Sequence, residues 1–293
     1  MLAYKKSRFR VEDVARIIFL LLGVLNILFV LIICLYLIYA GLPAIGKIGV
    51  IDFLFGSSWD SSAEVPSFGI LPFILTSIYG TAGAIVLGLP IGFFSAVYMA
   101  KCAPKKVRST VEPLIDLLSG IPSVVYGFIG MLFLVPLIKD MFDLVDGASL
   151  FAAILVLTIM ILPSIIKISI TALEAVPPEY EQASLALGAN HIETCFKVVV
   201  PAAKDGIAAA VVLGVGRAIG EAMAVMMVAG NVANMPSLFE SVRFLTTAVA
   251  SEMAYSSGLQ REALFSIALV LFVFILMINA CLNLFLKRGT KHD

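Results

Sequence analysis

Apolar residues in this chain come in long, nearly unbroken runs separated by short polar segments, unlike the alternating or every-third-residue patterns of soluble elements. The runs cover 17–40, 70–100, 117–138, 150–170, 206–230 and 263–286. Each is long enough to cross a bilayer, whose ~30 Å hydrocarbon core takes about 20 helical residues. The first follows a basic amino terminus and is too long for the ~7–15 residues of a signal-peptide core, so it reads as an uncleaved membrane helix. The second holds Pro72 and Pro90 and therefore starts as an interfacial segment or crosses tilted. The third is opened by SGIPSVVYG at 119–127. The pattern predicts an all-α integral membrane protein with six transmembrane helices.

Composition agrees. The 293 residues are 61% hydrophobic and 14% charged, with a mean hydropathy of +1.06; soluble domains run at ~45–50% and ~25%. A soluble fold would leave too much apolar surface in water. Net charge is zero, so the distribution of charge is the informative quantity. Counting Lys and Arg outside the span centres, 15 of the 20 lie on the side of the termini and four lie opposite (Lys47, Lys139, Arg243, Arg261); Arg217 sits at a span centre. The positive-inside rule then puts both termini in the cytoplasm. The four cysteines, Cys34, Cys102, Cys195 and Cys281, show no metal or redox spacing and read as free thiols. His191 and His292 lie far apart in polar segments, which predicts no metal site.

The candidate chemistry centres on 206–230, GIAAAVVLGVGRAIGEAMAVMMVAG. Read as one helix, it carries Arg217 roughly 16 Å from Gly206, near mid-membrane. Glu221 then falls one turn on, on the same face. A charge at that depth marks a pathway or a site by default. The Arg-then-Glu order is the weaker one for helix support, so stability alone does not explain the pair. In this reading Glu221 holds the guanidinium when the path is empty, and Arg217 offers its fork of donors to an oxyanion. The Glu221 carboxylate would accept from a protonated anion. Ser123 and Tyr126 are weaker candidates for pathway contacts. Gly214, Gly216 and Gly220 let neighbouring helices approach or leave room beside Arg217. Met223, Met226 and Met227 read as core filler.

The polar stretch 171–205 is the other unusual segment. Pro177-Pro178 stop the preceding helix, 179–187 suits a short helix with Ala183, Leu185 and Ala186 available for packing, and Gly188 stops it. A second helical run leads to Pro201. A helix–Gly–helix hook held off the membrane offers an apolar ridge to a partner's groove. GLPAIGK at 41–47 has the spacing of a phosphate loop, but Ile48 stands where magnesium needs a hydroxyl. With no nucleotide site, the energy must come from another chain or from an ion gradient.

QASLALG at 182–188 followed by Pro201 resembles the EAA loop of ABC-importer permeases, with Val198 and Val200 in the loop's apolar positions. Gln182 and Ser184 depart from the usual Glu and Ala, and Glu181 is adjacent. FGILPFILTSIYGT (68–81), SGIPSVVYGF (119–128), GRAIGEAMAVMMVAGN (216–231) and LTTAVASEMA (245–254) together resemble phosphate permease subunits of the PstC type. That resemblance implies the type I ABC importer permease (MetI-like) fold, with the permease domain over 70–286 behind a first helix and external loop (1–69) and before a cytoplasmic tail (287–293). It implies a non-enzymatic subunit of a bacterial or archaeal plasma (inner) membrane importer of inorganic phosphate. The implied partners are a sister permease of the PstA type, two cytoplasmic ATPase subunits of the PstB type and an extracytoplasmic phosphate-binding protein of the PstS type. ATP and Mg2+ would be bound by the ATPase subunits, not by this chain. Glu181, Gln182, Ala183, Ser184, Gly188 and Pro201, within a coupling loop at about 174–203, would meet those ATPases. Alternatives from the residues alone are a sulfate or molybdate permease, an ion-coupled secondary transporter, and a membrane scaffold relaying external phosphate level to a sensor.

Overall fold

The computed structural model describes residues 2–61 and 63–289, with side chains over 12–61, 63–282 and 284. The basic side chains at 5, 6, 8 and 10, and the tail from 290, on which part of the charge asymmetry rests, lie outside the described residues. Helix α1 (Leu2–Ile48) is followed by α2 (Val50–Phe55) and a two-stranded antiparallel hairpin, β1 (Trp59–Asp60) with β2 (Ser67–Phe68). Next come α3 (Leu71–Val97), continued by a π-helical turn to Cys102, and α4 (Lys105–Gly120). Then α5 (Ser123–Ile129) and α6 (Val135–Phe142) form one span through a π-helical stretch, before α7 (Leu150–Glu174). The hook holds α8 (Pro178–Ala186), α9 (His191–Thr194) and α10 (Val200–Ala202). It leads into α11 (Lys204–Gly220), α12 (Met223–Val228), α13 (Leu245–Glu252) and α14 (Gly258–Gly289).

Among the described residues, five helices are long and apolar enough to span a membrane, and a bent helix pair makes a sixth candidate. The all-α expectation holds, with corrections at the boundaries. Pro72 sits in the first turn of α3, where its missing N–H costs nothing, so the second span is one helix from Leu71 rather than an interfacial piece joined to a helix. The third span starts at Ser123 rather than at 117, because the chain is extended at Ile121 and Pro122. The residues before that break form the amphipathic helix α4. Its Val107, Val111 and Ile115 pack against the C-terminal ends of α3 and α7 and the hook.

Helix α7 is the axle of the bundle. Ile154, Leu157, Ile161 and Ile165 are almost fully buried on it, and the close partner is α3. A Cβ at Gly83 would stand 2.7 Å from Ile154 Cδ1, and one at Gly92 would stand 2.8 Å from Ile165 Cγ2. Small residues on α3 thus let two backbones approach where lipid supplies no hydrophobic drive. At the head of α7, Ser149 Oγ accepts from the Ala152 N–H, an N-cap. Helix α1 stands outside this core, its Ile, Leu and Phe side chains exposed along the span. It touches α14 through Tyr36 on Phe265 and a Lys47–Glu262 ion pair of 2.6 Å.

Across from the hook, Arg243 and Glu252 form an ion pair that is largely buried. Arg243 Nε donates to the Asn231 carbonyl at 2.8 Å, and Glu252 also accepts from Trp59 Nε1 and Gln260 Nε2. One charge pair therefore pins the hairpin, the 231–244 loop, α13 and the start of α14 together.

Candidate functional site

The stretch 206–230 does not form the single helix that its hydropathy predicts. Helix α11 ends at Gly220, Glu221 is extended (φ −72°, ψ 128°), and a new helix begins at Met223. Arg217 and Glu221 therefore do not share a helix face, and no ion pair joins them among the described residues. Each charge instead serves a broken helix end. Arg217 lies in the last turn of α11, where carbonyl dipoles leave negative potential. Glu221 Oε1 accepts from the Ala224 N–H at 3.0 Å, capping α12. The Glu221 carbonyl accepts from Thr246 Oγ1 at 2.8 Å, which ties the break to α13.

Arg217 donates from Nη1 to Ser164 Oγ on α7 at 2.9 Å. It opens onto a cleft of about 760 Å³ lined by Ser164, Asp205, Ala209, Val212, Leu213, Gly216, Arg217 and Asn279. A hydroxyl is a weak partner for a guanidinium, whose five donors suit a tetrahedral oxyanion. Discontinuous helices of this kind are tolerated at membrane depth where they line a cavity. The sequence reading missed Ser164, although Pro163 beside it and the polar residues one and two turns on were signals of a wet helix face.

Other sequence-predicted residues sort differently. Tyr126 is buried, and its hydroxyl donates to the Leu118 carbonyl at 2.6 Å. It braces the break between α4 and α5 and lines an apolar groove with Phe133 and Leu137; it does not line the Arg217 cleft but lies within electrostatic reach of that guanidinium. Ser123 is half-buried in the first turn of α5 and does not line that cleft. Gly214 does permit close packing, since a Cβ there would meet Ile165 at 3.0 Å; Gly216 and Gly220 have nothing within 4 Å. Gly216 borders the cleft, which leaves room beside Arg217. Met223 is exposed, unlike a core residue, whereas Met227 packs on the main cluster.

The hook is present. Gly188 takes φ +89°, the left-handed conformation that lets it end α8. Asn190 and Glu193 form a reciprocal capping box at the start of α9. The arm from His191 to Ala202 meets α11 at 70°. Glu181 pairs with Lys101 at the foot of α3, and Ser184 Oγ lies 2.9 Å from Thr194 Oγ1. These two residues hold the hook together and to the bundle. Gln182, Ala183, Gly188 and Pro201 are exposed, as are Tyr180, Leu187, Ile192 and Phe196, with Leu185 at the edge of exposure. Of the packing positions expected on α8, Ala183 and Ala186 are both exposed.

Comparison with known proteins adds the following. The family described as "binding-protein-dependent transport system inner membrane component" matches residues 88–290. The chain is 40% identical over 242 residues to a probable ABC transporter permease, YqgH, of Bacillus subtilis, covering 80% of this chain and 78% of that protein. It is 34% identical over 249 residues to the phosphate transport system permease protein PstC of Haemophilus influenzae, covering 78% of each. It is 32% identical over 291 residues to a probable PstC of Methanocaldococcus jannaschii, covering 92% of this chain and 91% of that one. In shape it is similar to a chain of a bacterial alginate ABC transporter, with a TM-score of 0.59 at 16% identity, covering 94% and 95% of the two chains. A chain of the MetNI methionine ABC transporter in an inward-facing conformation gives a TM-score of 0.56 at 19% identity, covering 75% of this chain and 94% of that one.

Proposed function

The chain belongs to the binding-protein-dependent transport system inner membrane component family, and from that premise we propose that it is the PstC-type permease subunit of an inorganic phosphate importer. The observation that carries the substrate class is Arg217, a cation at membrane depth held by one hydroxyl and opening onto a cleft. An incoming phosphate replaces Ser164 as the acceptor, because a charged oxygen binds a guanidinium more strongly than a neutral one. Relatives named as phosphate transport permeases support that anion.

A sister permease of the PstA type completes the path on the open side of the cleft. Two ATPase subunits of the PstB type bind ATP and Mg2+, and one of them moves the hook, whose Tyr180, Leu187 and Ile192 sit in a groove on that subunit. A phosphate-binding protein of the PstS type delivers the anion from outside. Both termini and the hook lie in the cytoplasm, which places the Arg243–Glu252 network outside.

Substrate identity is read by competition. In cells making the complete transporter, unlabelled phosphate suppresses uptake of labelled phosphate, and sulfate or molybdate at the same concentration does not. Equal suppression by sulfate would contradict the phosphate assignment, and transport by this chain reconstituted without ATPase subunits would contradict the ABC mechanism.

A further inference from the structure

The inner half of α7 carries polar residues at Ser164, Lys167, Thr171 and Glu174, a 3-4-3 spacing that places all four on one face. Those positions are half-buried or exposed, while Ile165, Ile166, Ser169, Ile170 and Leu173 between them are buried. Ser164 is the acceptor of Arg217. Lys167 lies about 4.5 Å farther along the axis, away from the helix start, and its Nζ meets Asp116 of α4 at 2.5 Å. One step beyond, Arg108 pairs with Glu112 at 2.6 Å and with Glu174. These charged groups line a cavity of about 210 Å³ between α4 and α7. Three cations thus follow one another from the cleft toward the hook, the first held by a hydroxyl and the other two by the carboxylates Asp116, Glu112 and Glu174.

Lys167 is about 10 Å from the end of a spanning helix, and its side chain is 59% exposed. A lysine in that position is costly against lipid and favourable against a water-filled path. We propose that the Ser164–Glu174 face of α7 is the inward leg of the anion path, with Lys167 as a second anion station between Arg217 and the cytoplasm. This rests on the phosphate-permease reading. The anion leaves Arg217 for Lys167 by displacing Asp116. A second station keeps the first from becoming a trap, since conduction needs sites weak enough to leave.

The test is uptake of labelled phosphate by the complete transporter. Lys167→Gln lowers the maximal rate on the order of tenfold, the loss expected of one charge-assisted contact, with little change in KM. Lys167→Arg keeps most of the rate. Asp116→Asn breaks the same ion pair but leaves the cation, and loses clearly less than Lys167→Gln. Equal losses in Lys167→Gln and Asp116→Asn would make the pair a brace between helices and overturn the proposal, as would full activity in Lys167→Gln. Independently of those variants, Thr171→Cys in a chain lacking the native cysteines reacts with a cationic, membrane-impermeant thiol reagent in inside-out vesicles; no reaction would overturn the proposal. Loss of uptake in Arg217→Ala with full activity in Lys167→Gln refutes only this inference, whereas full activity in Arg217→Ala refutes the site on which it rests.

Discussion

Replacing Arg217 with alanine is expected to abolish phosphate uptake while leaving the transporter assembled. The side chain makes one hydrogen bond in this chain, from the guanidinium to the neutral Ser164 hydroxyl, so its loss costs folding about 1.5–3 kcal/mol. Toward a bound anion it offers two charge-assisted donors, together worth roughly 3–5 kcal/mol, which corresponds to a rate about 10²–10³-fold lower. Arg217→Lys retains the charge but not the fork and falls between. Glu221 should behave in the opposite sense. Its carboxylate caps α12, so Glu221→Ala lowers the stability of the purified protein by about 1 kcal/mol. Glu221→Gln keeps an acceptor, restores most of that stability and transports far better than Arg217→Ala. Thermal unfolding of the detergent-solubilised transporter reads the first effect and uptake reads the second. Equal transport defects in Arg217→Ala and Glu221→Gln would mean that the two charges act as one unit, contrary to the geometry.

The second large effect concerns the hook. Leu187 is 90% exposed and Ile192 69% exposed, on either side of the Gly188 turn. Neither belongs to the apolar clusters of this chain. The double substitution Leu187→Asp with Ile192→Asp therefore leaves the stability of the chain within about 0.5 kcal/mol of the original. Two carboxylates in a partner's apolar groove each cost several kcal/mol of desolvation. Co-purification of the ATPase subunits should fall by at least about 100-fold, and uptake should be lost with it. Retained co-purification and uptake in the double variant would show that the ATPases dock elsewhere.

Much of this architecture can be read from the chain without coordinates. Long apolar runs mark the spans, because a bilayer demands length more than pattern. The hook is legible from Pro177-Pro178, Gly188 and Pro201, since each is a backbone instruction that few folds can override. Helix α4 was missed for the converse reason. Val107, Val111 and Ile115 give it a clear four-residue period, but its mean hydropathy is that of a loop and a search for spans passes over it. The hairpin and α13 depend on the Arg243–Glu252 network, which joins residues far apart in sequence.

The break at Glu221 is the instructive failure. Averaged hydropathy runs smoothly across 206–230, so the stretch reads as one helix. Local signals say otherwise: a cation in a last turn, Gly220 after it, then an acid where a new helix begins, which is the ordinary stop and start of two helices. The Arg-then-Glu order, unfavourable within one helix, is favourable when each residue serves a different helix end. The sequence pairs Arg217 with Glu221, whereas the fold pairs it with Ser164. Ser164 had to come from the fold, because only the packing of α11 on α7 brings it within reach.

The account stands or falls on Arg217 facing an anion path rather than lipid or a closed core. The most direct measurement is the reaction of a single cysteine at Ser164, beside the guanidinium, with a small membrane-impermeant thiol reagent in the assembled transporter. The account predicts labelling that millimolar phosphate slows and sulfate does not, with the protection lost in Arg217→Ala. A cysteine at 164 that stays unlabelled in every condition of ATP and binding protein, or that labels at the same rate with and without phosphate, would contradict it.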